Sequence, residues 1–201
     1  MLFIFDMGGV VTNTFLLTQL YNKLNITTED FYNICRQDNK DIWQLFQIGK
    51  LNPQQFWDIF NQRTSSSSDE KLRAIPQVEH DLFRLYFHPS KNLETVELIK
   101  QLKKKHRVVC GTNTIDSHWE NHMERGDYSL FNQTYASNKI GAAKPDPHFF
   151  ELILDAEQTA PENAFFTDDR ADNVAAAASL GIHAELFTTA AELTAKWKQY
   201  C

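Results

Sequence analysis

Apolar residues in this chain follow two patterns. Short continuous runs, Leu2-Phe3-Ile4-Phe5, Val108-Val109-Cys110 and Ala164 to Thr167, with shorter ones near Thr134 to Ala136 and Ala184 to Phe187, predict buried strands. Elsewhere apolar side chains recur at helical spacing. From about Thr14 to His88 only helices are predicted. One carries Phe15, Leu16, Leu20 and Leu24, and a capping box of Thr27 and Asp30 opens the next through Phe31 and Ile34. A third carries Ile42, Trp43, Leu45 and Phe46 and stops at Gly49, and Asn52-Pro53 starts a fourth through Phe56, Trp57 and Phe60. Ser65 to Ser68 reads as a loop, and Leu82, Phe83, Leu85, Tyr86 and Phe87 are buried candidates beyond a break near Pro76. From Asn92 helices alternate with the strands. Their apolar sides are Leu93, Val96, Ile99 and Leu102; then a helix from Ile115; then Phe149, Phe150, Leu152 and Ile153 after Pro147; then Val174, Ala177 and Leu180 before Gly181. A last helix ends near Trp197.

Strands alternating with helices imply parallel pairing through right-handed crossovers, hence a doubly wound α/β sheet. The helical stretch is an insertion after the first strand. Residues 1–13 and 89–201 are expected to form the core, and 14–88 an all-helical cap.

A net charge of −6 argues against a nucleic-acid partner, which would require a basic surface. The lysines 103–105 close a helix where cations suit its dipole. Cys35, Cys110 and Cys201 are odd in number and widely spaced, which suggests neither a disulfide framework nor a zinc site. No basic segment precedes the first apolar run, and no run approaches the roughly 20 residues of a membrane span. A cytoplasmic protein with no membrane partner is expected.

The first strand ends on Asp6, followed by Gly8 and Gly9. In open α/β sheets ligands bind outside the carboxyl ends of the strands. Those ends and their loops offer Asp6, Thr112-Asn113, Lys144, and Asp168-Asp169 with Asp172 close behind. Each has an ordinary explanation alone, as a turn cap, a helix N-cap or a solvated charge. Their conjunction in this order suits phosphoryl transfer. A carboxylate can attack phosphorus to form an aspartyl-phosphate, provided Mg²⁺ and an ammonium offset the repulsion between two anions. The Thr112 hydroxyl and backbone N–H groups at the start of the next helix would hold phosphate oxygens.

The segments FDMGGVVTNT, VVCGTNT, AAKPDPHFF and FFTDDRADN resemble, in order, the four motifs of the haloacid dehalogenase (HAD) superfamily. The resemblance spans nearly the whole chain. It implies a Rossmann-like core with a helical cap, nearest the sugar-phosphate phosphatase branch. It makes Asp6 the nucleophile, has Thr112 bind phosphate with Asn113, and has Lys144 steady both charges. Mg²⁺ is then held by Asp6, the Gly8 backbone carbonyl, Asp168 and Asp169. Asp172 becomes an outer or alternative ligand, and Thr12 and Asn13 would touch the leaving group. The expected substrate is a small phosphorylated metabolite such as a sugar phosphate. Trp43, Phe46, Phe56 and Trp57 read as cap core.

The sequence departs from that pattern at Gly8, where such phosphatases carry a second aspartate as general acid and base. Help of that kind is worth about 10²–10⁴-fold in rate. Three explanations stand: a leaving group that needs little protonation; an acid from elsewhere, with His80, His88, His118 and His122 as candidates; or a protein that binds phosphorylated ligands without turnover. A 2-haloacid dehalogenase is the other enzymatic alternative, since those enzymes also lack the second aspartate, but they work without metal and have no need of an acidic pair.

Overall fold

The computed structural model describes residues 1–14 and 17–197, so Phe15, Leu16 and Cys201 lie outside the described residues. The chain opens with β1 (Leu2–Phe5), followed by six helices: α1 (Thr18–Leu24), α2 (Thr28–Cys35), α3 (Ile42–Gln47), α4 (Pro53–Ser65), α5 (Glu70–Arg73) and α6 (Leu82–Tyr86). Alternation follows through α7 (Leu93–Leu102), β2 (Arg107–Thr112), α8 (Asp116–Glu124), β3 (Gln133–Ala136), α9 (Ser137–Ile140) and α10 (Pro147–Ala156). It ends with β4 (Ala164–Asp168), α11 (Ala171–Ser179), β5 (His183–Leu186) and α12 (Ala190–Trp197).

All neighbouring strands pair in parallel, in the order β3-β2-β1-β4-β5. β1 lies at the centre and is buried along its length, so it is apolar on both faces. Its side chains alternate. Phe3 and Phe5 pack with Ile99 and Leu102 of α7 and Leu193 of α12, while Leu2 and Ile4 pack with Phe149 and Ile153 of α10 and Ala177 of α11. Helices thus cover both faces, which makes this a doubly wound α/β fold. Phe5 is in register with Cys110 on one side and Thr167 on the other, so the carboxyl ends of the three central strands finish level.

The helical block has its own apolar cluster around Phe31, Phe46, Phe56, Phe60 and Phe83, with the Phe46 and Phe56 rings stacked at 4.9 Å. Two capping boxes, Thr27 with Asp30 and Asn52 with Gln55, start α2 and α4. The buried Arg63 guanidinium donates to the carbonyls of Ile34 (2.9 Å) and Cys35 (2.7 Å), satisfying the end of α2. The two connections to the sheet domain run side by side. Asn13 N–H donates to Ser90 O (2.9 Å), Ser90 N–H to Asn13 Oδ1 (2.7 Å), and Asn92 N–H to Val11 O (2.8 Å).

Several expectations need correction. Leu93 is 72% exposed because the inward stripe of α7 runs through Thr95, Leu98, Ile99 and Leu102, and two helical residues differ by about 200°. Leu85, 56% exposed, bears the same relation to Phe83 on the short α6. Ser65 belongs to α4, and Leu180 is a half-buried C-cap of α11. Phe56 sits at the centre of the aromatic cluster, so Phe56→Ala is expected to cost about 3–5 kcal/mol of unfolding free energy in urea titration. A loss below about 1 kcal/mol would contradict that placement.

Candidate active site

Asp6 follows β1, Thr112 ends β2 and Asp168 ends β4, while Lys144 lies on the loop between α9 and α10. Parallel pairing brings them together. The Lys144 ammonium, buried, donates to Asp6 Oδ1 (2.7 Å), Asp168 Oδ2 (2.7 Å) and the Gly111 carbonyl (2.8 Å). Gly111 has no side chain because a Cβ there would stand 2.9 Å from Ile4 Cγ2 and 3.2 Å from Ile153 Cδ1.

Each partner is itself fixed. Asn173, which the sequence reading did not single out, donates to both oxygens of Asp168 at 3.0 Å, and Arg170 N–H reaches Oδ1 at 2.9 Å. Asn113 Nδ2 donates to Lys144 O (2.7 Å) and its Oδ1 accepts from Lys144 N–H (2.8 Å). The Asn113 side-chain amide is therefore engaged in holding the lysine loop, while the residue lines the crevice. Asn13 likewise is occupied with Ser90, and Thr12 is buried with its hydroxyl donating to Met7 O at 3.2 Å. Thr112 makes only a long 3.4 Å contact with Asn113 O, which leaves its hydroxyl available at the crevice.

Oxygens of Asp6, Asp168 and Asp169 lie within 4.8 Å of one another. Gly9 lets Asp169 approach: its φ is +80°, and a Cβ there would fall 2.0 Å from Asp169 Oδ2. Three carboxylates face one ammonium, so the cluster is short of positive charge. Burial raises the Asp6 pKa to about 6, against the pull of Lys144 and with a push from Asp168. Burial and then Asp168 also raise Asp169. Burial alone would lower Lys144, but Asp6 and Asp168 outweigh it and its pKa rises. All-oxygen donors short of a cation fit a hard divalent ion such as Mg²⁺. Asp172 stands outside this cluster, because its carboxylate pairs with Arg170 at 2.6 Å and is held below its usual range by it.

The cluster floors a crevice of about 470 Å³ between sheet domain and helices, which also exposes Gly8. His118 and His122 line it; His80 and His88 are exposed elsewhere. His118 stacks on Phe87 with centroids 3.8 Å apart, and burial followed by the charge of His122 pushes it down to about 3. His122 is bonded to Asp127 at 2.8 Å and is lowered by burial. Burial thus disfavours the imidazolium form of both. Trp43, expected as cap core, is half-buried and lines the crevice beside Tyr21 and Tyr32. Among the described residues, no helix is long and apolar enough to cross a membrane.

Residues 1–181 match the model of the haloacid dehalogenase-like hydrolases. The chain is 27% identical over 182 residues to the sesquiterpene phosphatase astK of Aspergillus oryzae, spanning 89% of this chain and 85% of that protein. A HAD family enzyme of Bacteroides thetaiotaomicron, crystallised with magnesium and inorganic phosphate, superposes with a TM-score of 0.70 at 23% identity over 93% of both chains. A 2-haloacid dehalogenase of Pseudomonas syringae pv. tomato gives 0.63 at 18% identity, over 92% of this chain and 85% of that one. At such identities the two structures speak for the fold alone.

Ionising Asp6 in the metal-free fold costs stability as pH rises from its ordinary 3.8 to about 6. Asp6→Asn removes that cost. The melting temperature of Asp6→Asn minus that of wild type, both in chelator, should therefore rise across this window, and a flat or falling difference contradicts the burial. From the match over residues 1–181, this chain belongs to the haloacid dehalogenase-like hydrolase family.

Proposed function

We propose that the protein is a Mg²⁺-dependent phosphatase that hydrolyses a small phosphorylated metabolite through an aspartyl-phosphate on Asp6, with residues 14–88 as the cap over the crevice. The observation that carries this reading is the carboxylate cluster held around one buried lysine. The phosphatase relative supports it.

In the first step an Asp6 oxygen bonds to phosphorus and the ester P–O bond breaks, releasing the alcohol oxygen as an anion. In the second, water attacks phosphorus, the bond to Asp6 breaks, and inorganic phosphate departs. Lys144 holds Asp6 ionised and aimed. Asp168 orients Lys144 through Oδ2 and is itself held by Asn173 and the Arg170 N–H. Asp6, the Gly8 carbonyl and Asp169 would hold the metal, with Asp168 as a closely placed fourth donor. When bound, Mg²⁺ would offset negative charge on the phosphoryl oxygens. Thr112 would donate to one of those oxygens.

Gly8 supplies no proton to the leaving oxygen. The crevice histidines are poor substitutes, because burial disfavours the imidazolium form of both and His122 is tied to Asp127. The leaving oxygen must then take its proton from water. A metal-free dehalogenase is less well served by this site, where an acidic cluster short of positive charge would repel a carboxylate substrate.

Phosphate release from p-nitrophenyl phosphate should require Mg²⁺, and Asp6→Asn should lower kcat by about 10³-fold or more. Halide release from 2-haloacids in chelator, or phosphate release indifferent to Asp6→Asn, would overturn this reading. Ligand-dependent stabilisation without turnover would favour a phospholigand-binding protein.

A further inference from the structure

The crevice is divided by charge. Its ionised side chains, Asp6, Lys144, Asp169 and Arg170, all come from the sheet domain. Among the described residues, no charged side chain from the helical block lines it. What that block presents is the apolar and aromatic surface of Leu17, Tyr21, Tyr32 and Trp43 together with the neutral polar side chains Thr14, Thr18, Thr28 and Gln47, and the flat Phe87–His118 stack adds a further wall. Trp43 is held edge-on by Phe31 (5.6 Å), Phe46 (6.3 Å) and Phe56 (6.2 Å), so this aromatic wall is preformed.

Two further observations bear on what fits there. A Cβ added to Gly8 would meet nothing within 4 Å, so the space where an acid side chain would reach the leaving oxygen is open. Arg170, the one cation besides Lys144 among the described lining residues, is committed to Asp172 through contacts of 3.1 and 2.6 Å. A second anionic group on the substrate would have to compete with Asp172 for Arg170. The hydroxyls of a sugar would have to be matched in position by Thr14, Thr18, Thr28 and Gln47, whereas an apolar ring can rest on the Leu17, Tyr21, Tyr32 and Trp43 surfaces without such matching, and unpaired polar groups are costly to bury.

We infer that the cap side of this site takes an uncharged, apolar ring, so that the substrates are monophosphates of hydrophobic alcohols or phenols rather than sugar phosphates. This rests on the phosphatase reading above and adds a substrate class to it. It departs from the sugar-phosphate expectation. Among such esters, those with the less basic leaving oxygen react fastest, because residue 8 offers no proton.

The test uses the full chain with Mg²⁺ and compares kcat/KM, which includes the step in which the leaving group departs. Cyclohexylmethyl phosphate and glucose 6-phosphate both release a primary alcohol and differ in the polarity of the ring. The cyclohexyl ester is expected to be favoured by about 10-fold or more, and Trp43→Ala should shrink that ratio to about 3-fold or less. Phenyl phosphate should exceed cyclohexylmethyl phosphate, and Gly8→Asp, for which there is room, should narrow that gap by accelerating the alkyl ester more. Should Trp43→Ala fail to fold, calorimetry on Asp6→Asn with cyclohexylmethylphosphonate and glucose 6-phosphate reads the same preference as affinity, again about 10-fold. Equal or reversed preference for the sugar ester overturns this inference and leaves the phosphatase reading standing. Absence of any Asp6-dependent hydrolysis defeats the reading beneath it.

Discussion

The Lys144 ammonium, shared between two carboxylates and a carbonyl in a space closed to water, is the contact on which the rest of this site depends. Removing an ammonium from water is expensive, and the cost is met only when opposite charges and acceptors surround it closely. Here three elements converge on it. β1 delivers Asp6, β2 delivers the Gly111 carbonyl and β4 delivers Asp168, and they arrive together because the three strands are parallel neighbours ending in register. Asn113 then fastens the lysine loop through its backbone, and Asn173 fastens Asp168 from the first turns of α11. Breaking the contact would leave two buried carboxylates facing each other without compensation.

With the lysine fixed, the remaining groups have defined tasks. Asp6 is held through Oδ1 by the ammonium, while Asp169 reaches in over the bare α-carbon of Gly9. Among the described residues, the helical block adds no charge to the crevice it covers. It is tied to the sheet domain through its paired connections, through Asn121 Nδ2 donating to Phe87 O at 2.8 Å, and through Ser137 Oγ donating to Gln47 O at 2.7 Å. A backbone approach closes the same seam, since a Cβ on Gly49 would fall 2.1 Å from Asn138 O. The block therefore presents a fixed, uncharged wall, in part aromatic, to the crevice above Asp6.

What could be read from sequence were features whose causes are local. Thr27 with Asp30, Asn52-Pro53 and the unbroken apolar runs of β1 and β4 specify their own backbone, and the order of chemical residues at strand ends follows once the strands are recognised. Long-range pairing was not legible. Asn113 looks like a ligand group until its amide is seen bonded to a loop 31 residues away. Asp172 looks like a metal ligand until Arg170 takes it. Asn173 passed unnoticed, although a lone amide five residues after Asp168, in an alanine-rich helix, was the available signal. Leu85 and Leu93 were misplaced because helical periodicity gives spacing but not the direction that faces the core. The roles of Trp43, Tyr21 and Tyr32 depended on how the helices sit over the sheet, which no local pattern records.

In the proposed reaction Asp6 is transiently phosphorylated, as an acyl phosphate. The most direct measurement is borohydride trapping of the protein during turnover of p-nitrophenyl phosphate with Mg²⁺, followed by peptide mass spectrometry. Reduction of an acyl phosphate at position 6 should convert that aspartate to homoserine, and the product should be absent when Mg²⁺ is withheld. Unmodified Asp6 recovered under conditions of active phosphate release, or homoserine found at Asp168 or Asp169 instead, would contradict the account.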